Sequence, residues 1–497
     1  MSGEGMAAGT GLPGAVRRIL VLGASRSGVS AAIAVAGLGL EVLLSDRRGP
    51  ESLPGLADAE SAGVRFVPEE TLATGWPRPD LVIKSPGVPG EAAPVQQARE
   101  QGVPVWSELE LAYALFPNPF NAITGTNGKT TTTALLGHLL ATAGRRVRVL
   151  GNIGVAVTSV VGEIAPDEEL VVEVSSFQLE DVHAFRPATG IFLNLTPDHL
   201  DRHGTMERYL ACKANLFRNQ GEEDVAVLNL ADGAVAALGV ALASRPGGPR
   251  VDFFSTGGSG AVAVPAGAEP GVGPGAGHGV TVSARPVSWV ESGWMYLREE
   301  RVLPVREIQL PGIHNLENCL AAGTAALARG LDPGAVAAGL RTFTGVPHRL
   351  EKAGMVRGVT YVNDSKATNV EATLTALNAY SERTHLILGG RDKASDYRPV
   401  ARACARGCKA VYLIGEATPL IQEAFAEVRE REGVAGVPEP QVHGDLQTAV
   451  EAAARAAVPG DVVLLAPACA SFDQYSSFEE RGEHFRALVD LVAARAS

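Results

Sequence analysis

The 497-residue chain lacks several features that would place it in common protein classes. No stretch approaches the ~18–20 consecutive apolar residues of a membrane span, so no membrane anchor is expected. Basic charge is in deficit: 43 Lys and Arg against 55 Asp and Glu leave a net charge of −12. That balance argues against a general nucleic-acid or anionic-lipid surface, while leaving room for a local basic pocket. Cysteine is scarce, at positions 212, 319, 404, 408 and 469, with no C-x-x-C pair. Cys404 and Cys408 can share a helix face, but no second pair exists to complete a zinc site, and all five read as reduced thiols of a reducing compartment. The opening sixteen residues, MSGEGMAAGTGLPGAV, hold no apolar core. They read as a disordered tail rather than a signal peptide, so a cytoplasmic protein is expected. What remains, 46% hydrophobic and 20% charged residues, is the make-up of a soluble globular chain, at a length that roughly two to four domains share.

The pattern is α/β throughout, in three domains in series. Residues 1–16 form the tail, 17–107 a Rossmann-like unit, 108–345 a central P-loop ATPase-like unit, and 346–497 a second Rossmann-like unit. The first opens with "RILVLGASRSGVSAAIAVAGLGLEVLLSD", a strand, a glycine turn, a helix and a strand ending in Asp46. Gly23 and Gly28 lack the middle member of G-x-G-x-x-G, where Ser25 stands. A nicotinamide cofactor is therefore not favoured; a turn holding another nucleotide and a purely structural tight turn both remain open. A later strand, "DLVIKSPGVP", runs into a Pro-Gly turn at the end where open parallel sheets bind ligands. In the central unit, residues 257–279 carry nine glycines and three prolines. Such composition cannot bury a core, and an exposed insertion loop in a hairpin is expected.

Chemistry concentrates at a few places. "ITGTNGKTTT" (123–132) follows a strand and opens a helix. Its first glycine comes too late for the G-x-x-x-x-G-K-[ST] spacing, but the mechanics of a phosphate loop survive. Gly125 and Gly128 free backbone N–H groups to wrap phosphates, Lys129 adds a point charge, and Thr130 a hydroxyl for Mg2+. A helix cap with an incidental lysine is the alternative. Glu173, in "LVVEVSSFQ", is a carboxylate within a strand that reads as buried, and needs a partner or cation to stay ionised. With Thr130 and with His199 in "NLTPDHLDRHG" it makes a ligand set that Mg2+ tolerates. Lys213 falls on the apolar stripe Met206, Tyr209, Leu210, Phe217. It either snorkels to the surface or lies buried with a depressed pKa, in which case its neutral amine can take up carbon dioxide as an anionic, metal-binding carbamate. In the third unit, Arg349 in "GVPHRLE" and Asp364, Lys366 and Thr368 in "VNDSKATN" suit a ribose and phosphates, or form a solvated loop. The same choice holds for Lys393 in "GGRDK". "PACASFDQYSSFEERG" sets Ser471 and Asp473 directly after a buried strand, followed by Tyr475 and Phe478.

Taken in order, "GTNGKTTT", "GNIG", "EVSSFQLE", "TPDHLDRHG", "GIHNLENCLAA", "VPHRLE" and "NDSKATN" resemble the Mur ligases, ATP-dependent amide-forming enzymes of peptidoglycan precursor synthesis. "LGGRDK" and "ACASFDQYSSFEERG" resemble the branch that adds D-glutamate. The resemblance spans nearly the whole chain after the tail, and the insertion at 257–279 exceeds the family's usual pattern. It implies ATP and Mg2+, the small-molecule substrates UDP-N-acetylmuramoyl-L-alanine and D-glutamate, no nucleic-acid or membrane partner, and a monomer. It further implies that Gly125, Thr126, Asn127, Gly128, Lys129, Thr130 and Thr131 hold the ATP phosphates. Asn315 and Asn318 would face adenine, with Arg349 and Asp364 on ribose and phosphate. Thr130, Glu173, His199 and a carbamylated Lys213 would ligate magnesium, and Lys129, Glu173, His199 and Lys213 would form the catalytic set. Ser27, Arg47 and Arg48 would take uracil and diphosphate, and Ser85, Pro86, Gly87 and Asn152 the UDP-sugar. Lys366, Thr368, Lys393, Ser471 and Phe478 would surround D-glutamate. The implied path is an acyl phosphate followed by a tetrahedral intermediate. Another Mur ligase or a folate-polyglutamate ligase, a nucleotide-dependent oxidoreductase built on the first unit, and a non-catalytic nucleotide sensor are the rival readings.

Overall fold

The computed structural model describes residues 11–14, 16–75, 78–151, 155–265, 281–310, 312–380, 383–392 and 395–496. The chain divides into two compact units, Met1–Phe343 and Thr344–Ser497. The first unit holds two large sheets. One has five parallel strands in the spatial order Arg65–Phe66, Glu41–Ser45, Arg18–Leu22, Leu81–Lys84, Val105–Ser107. The order reverses beside Arg18–Leu22, the place where such sheets open a crevice at the strands' C-terminal ends. Gly23 follows that central strand with φ 89°. A Cβ on Gly28 would lie 1.8 Å from the Gly23 carbonyl oxygen, so only glycine lets the helix start this close to the strand.

The second sheet has nine strands. Its parallel part runs Val147–Gly151, Glu169–Glu173, Phe120–Thr124, Thr189–Phe192, Val225–Asn229, Arg250–Ser255, Ser288–Glu291. Trp294–Leu297 and Glu300–Pro304 continue it antiparallel. Phe120–Thr124 is buried at every position and lies between Glu169–Glu173 and Thr189–Phe192. Three polar segments, 125–128, 174–178 and 193–199, therefore leave the same edge side by side. The helix Lys129–Thr142 packs on Ile313–Ala328 and Pro333–Thr342. A separate antiparallel pair, Val262–Pro265 with Thr281–Ala284, flanks the Gly/Pro-rich stretch. The hairpin expected there is present in its strands, and residues 266–279 lie outside the described residues.

The second compact unit holds a six-stranded sheet in the order Glu351–Val356, Val359–Asn363, Val462–Leu465, Thr384–Gly389, Cys408–Ile414, Gln441–Gly444. Only the first pair is antiparallel. The fold is α/β with mostly parallel sheets, as the alternation of strand and helix patterns implies. Among the described residues no helix is long and apolar enough to cross a membrane.

Candidate active site

The turn after Phe120–Thr124 has the shape of a phosphate loop. Gly125 (φ 153°) and Gly128 (φ 82°) take backbone angles that L side chains avoid, and Gly128 caps the helix Lys129–Thr142. Crowding adds to the requirement, since a Cβ on Gly128 would lie 2.4 Å from Asn318 Oδ1. The loop is fastened from the neighbouring strand's exit. Asn127 N–H donates to Asn194 Oδ1 (2.8 Å), Asn194 Nδ2 to the Asn127 carbonyl (3.2 Å), and Thr126 Oγ1 to the Thr196 carbonyl (3.1 Å). Asn194 and Thr196 were not singled out in the sequence, although both stand in the "NLTPDH" segment that was. Lys129 Nζ folds back onto the carbonyls of Gly125 (3.0 Å) and Thr126 (2.8 Å). Asn318 backs the helix start, accepting from Thr132 Oγ1 (3.1 Å) and donating to Asn315 Oδ1 (3.2 Å), so both asparagines stand beside the loop.

Thr130 Oγ1 donates to Glu173 Oε2 at 2.8 Å, and both side chains are buried. Lys213 is buried at 1% exposure, which decides against the snorkelling alternative. Its Nζ donates to the Gly125 carbonyl (2.8 Å) and lies 4.7 Å over the Tyr209 ring. Burial, reinforced by the positive charge of Lys129, pushes its pKa well below the usual lysine value. His199 stands on the next turn in a left-handed conformation (φ 52°) with its side chain 49% exposed. Its ring packs 4.9 Å from that of Phe177. Among the described residues no three His, Cys, Asp or Glu side chains converge on one point. The oxygen pair Thr130 and Glu173 nevertheless suits a hard cation, whose remaining positions water and phosphate oxygens can fill.

At the crevice of the five-stranded sheet, Ser85 Oγ donates to the Gly23 carbonyl (2.8 Å), so this hydroxyl closes the turn. Asp46 accepts from Ala24 N–H (2.7 Å) and from the guanidinium of Arg48, which holds its carboxyl at about 2. A carboxylate so engaged is not free for a dinucleotide's ribose, in keeping with the incomplete glycine fingerprint. Ser27 opens the helix Arg26–Ala36, Arg47 is exposed beside Glu69, and Pro86 and Gly87 form the turn after Ser85. Asn152 lies outside the described residues.

In the Thr344–Ser497 unit, Asp364 is buried beside Arg349, and burial raises its carboxyl to about 6. Lys366 Nζ lies 5.8 Å over the Phe478 ring, with Thr368 half-buried two residues on. Ser471 Oγ, at the exit of the strand Val462–Leu465, is buried without a hydrogen-bond partner, an orphan donor. The sequence reading passed over Arg481. Its buried guanidinium donates to Ser365 Oγ (3.0 Å) and to the carbonyls of Ser365 (3.0 Å), Cys469 (3.2 Å) and Ala470 (3.3 Å), clasping the two loops together. A buried arginine in "FEERG" could have been suspected from its place on the apolar face of the last helix. Lys393 lies outside the described residues.

Comparison with known proteins accounts for this arrangement. The family descriptions "Mur ligase middle domain" and "Mur ligase, glutamate ligase domain" match residues 123–257 and 348–469. A UDP-N-acetylmuramoylalanine–D-glutamate ligase of Pelotomaculum thermopropionicum is 43% identical over 479 residues, covering 95% of this chain and 97% of that one. Its counterpart in Anaeromyxobacter dehalogenans is 42% identical, over 95% and 97% of the two chains. Among solved structures, a UDP-N-acetylmuramate-alanine ligase of Thermotoga maritima superposes with a TM-score of 0.53 at 19% identity, over 95% of this chain and 99% of that one. A pseudomurein peptide ligase type C of Methanothermus fervidus gives 0.52 at 17%, over 96% and 100%. With a phosphate loop, a buried lysine beneath it and end-to-end similarity to these relatives, the chain belongs to the Mur ligase family.

Proposed function

We propose that the protein is the ATP-dependent ligase that joins D-glutamate to UDP-N-acetylmuramoyl-L-alanine, a cytoplasmic step of peptidoglycan precursor synthesis. The observation that carries this reading is the juxtaposition of Lys129, Thr130, Glu173 and Lys213 around one phosphate loop. A nucleotide sensor needs the loop but not a buried carboxylate and a buried lysine against it. The division into units 17–107, 108–345 and 346–497 belongs to the same proposal. Ser27, Arg47, Arg48, Ser85, Pro86, Gly87 and Asn152 serve the UDP-sugar, and Lys366, Thr368, Lys393, Ser471 and Phe478 the D-glutamate. Asn315, Asn318, Arg349 and Asp364 serve the nucleoside of ATP.

A carboxylate is a poor electrophile and must be activated before an amine can displace one of its oxygens. The substrate's L-alanine carboxylate attacks the γ-phosphorus of ATP, ADP leaves, and an acyl phosphate forms. The D-glutamate amine then adds to the acyl carbon, loses a proton, and inorganic phosphate departs from the tetrahedral intermediate. The backbone N–H groups at the helix start, 128–130, and the Lys129 ammonium balance charge on the phosphoryl group in flight. Thr130 and Glu173, with His199, would hold Mg2+, which screens phosphate charge and orients the transferring oxygens. Lys213 is disposed toward the neutral amine by burial; that amine adds to carbon dioxide, releases a proton, and leaves a carbamate whose negative charge is offset by Lys129.

The test is release of ADP and phosphate with ATP, Mg2+ and UDP-N-acetylmuramoyl-L-alanine, offering D-glutamate, L-glutamate, meso-diaminopimelate and L-alanine in parallel. Turnover with D-glutamate alone, and a product one glutamyl residue heavier, is expected. Turnover with a different amino acid overturns the substrate assignment, and no turnover with any overturns the reaction.

A further inference from the structure

The loop that follows Leu81–Lys84 is gripped by charges from two distant segments, and neither phosphate nor amine binding calls for them. Lys84 is wholly buried at the strand's end. Its ammonium pairs with Glu180 and with Asp181 (2.9 Å). Arg202, 13% exposed, donates to the carbonyls of Pro86 (2.8 Å) and Val88 (2.9 Å) and to Glu180 Oε2 (3.1 Å), with its guanidinium 4.3 Å from the centre of the Phe177 ring. Arg99 donates to the Gly90 carbonyl (3.0 Å) and to Asp181 Oδ1 (2.7 Å). Three carbonyls of one short loop are thus each held by a cation. Three cations face two carboxylates, so the cluster keeps one positive charge in excess.

The gripping residues come from segments already tied to the phosphate site. Glu180 and Asp181 follow the strand that ends in Glu173, and Arg202 lies in the short helix Leu200–His203, directly after His199. Phe177 is shared, since the guanidinium of Arg202 and the rings of His199 and His203 all pack on it. The Arg202 Nε–H is buried without an acceptor, a desolvation cost offset by the two loop carbonyls and Glu180. The arginine is therefore held in place by the loop it grips.

We propose that Arg202, braced by Glu180 and Lys84, is a positioning residue that sets the 85–90 loop against the His199 turn, so that acceptor binding at the loop and placement of that turn are coupled. This rests on the reading of residues 85–87 as the UDP-sugar loop. The excess positive charge suits the anionic sugar-nucleotide. Lysine at 202 keeps the charge but loses the planar fork by which arginine's separate nitrogens take the Pro86 and Val88 carbonyls.

The test compares wild type with Arg202→Gln and Arg202→Lys in two measurements on the full chain. In steady-state kinetics, KM for UDP-N-acetylmuramoyl-L-alanine should rise about tenfold or more in Arg202→Gln while KM for ATP stays within about twofold. Arg202→Lys should recover part of the loss. In hydrogen exchange, amides of 85–92 and 196–204 should lose protection together, while those of the strand 18–22 keep theirs. A KM for acceptor that does not move, or one that rises in step with that for ATP, overturns the proposal. Should wild type turn over none of the offered substrates, the functional reading falls, and exchange alone decides the coupling: unchanged protection over 85–92 in both variants overturns it. If Arg202→Gln does not fold, Arg202→Lys must still show the split.

Discussion

Replacing Lys213 with methionine separates a catalytic role from a structural one. The substitution removes a hydrogen bond of 2.8 Å to the Gly125 carbonyl and a longer one of 3.4 Å to Thr124 Oγ1, together worth about 1–2 kcal/mol, and with them the expense of keeping an amine in a buried site. Methionine nearly fills the same volume and relieves the expense of the buried amine, so the variant should be at least as stable as wild type at pH 7. Turnover should respond differently. Removing one preorganised electrostatic group from an active site costs on the order of 10²–10³ in rate, or about 2.7–4 kcal/mol, and a comparable loss is expected here. The assay is initial-rate ADP release alongside a thermal melt, with acetate or formate then added to the variant to occupy the vacated place. Expected are a melt no lower than that of wild type, rates down at least about a hundredfold, and partial recovery with the small acids. A variant within about tenfold of wild type would refute the role; so would loss of the melt itself, since Lys213 would then be a packing residue. The pH dependence gives a second handle. With its folded pKa depressed from 10.5, Lys213 binds its proton more weakly in the native state than unfolded. Wild-type stability relative to Lys213→Met should therefore fall as pH drops from the unfolded value toward the folded one, and level off below it.

Asp364 has the opposite sign. Its carboxyl is raised from 3.8 to about 6, so its contribution is present below pH 4 and lost as pH rises through 6, at a cost of about 3 kcal/mol by pH 8. Asp364→Asn should thus raise the melting temperature at pH 8 and leave it nearly unchanged at pH 4, while weakening ATP binding in a titration; equal shifts at both values would sink the argument. Arg481→Met strands the carbonyls of Ser365, Cys469 and Ala470, and should destabilise by about 2–4 kcal/mol in denaturant melts with KM for D-glutamate raised well beyond that for ATP. Gly28→Ala drives a Cβ to 1.8 Å from the Gly23 carbonyl oxygen. Circular-dichroism melts should show a loss of at least about 2 kcal/mol, and a silent substitution would mean that the turn is looser than drawn.

Much of the fold was legible because its signals are local. The run "RILVLGASRSG" announces strand, turn and helix through apolar continuity and glycine placement, and "ITGTNGKTTT" announces a phosphate loop despite its short spacing. Thr130 and Glu173 could be named for the same reason, since each breaks a local rule: a hydroxyl at a helix start after glycine, and a carboxylate inside a buried strand. The pairings that complete the site were not local. Whether Lys213 snorkels or is buried depends on the Gly125 carbonyl, 88 residues away, and no periodicity reports that distance. Asn194 looks like any polar residue at a strand's end until the strand order sets it against Asn127, 67 residues earlier in the chain.

Lys84 shows where the boundary lies. Its position at the end of "LVIK" is as anomalous as that of Glu173, and the same reasoning about buried charge applies. A lysine at a strand's end usually reaches solvent, whereas Glu173 reads in the sequence as interior to the apolar run "LVVEV". Here the exit is closed by Glu180 and Asp181, which arrive from the segment after Glu169–Glu173 in the other sheet. A sequence exposes a buried charge when the charge cannot escape, and conceals it when escape is blocked only by what folds over it. The residues that couple one segment to another, Arg202 and Arg481 among them, fall in the second class, because most of their partners are backbone carbonyls that carry no signature in the sequence at all.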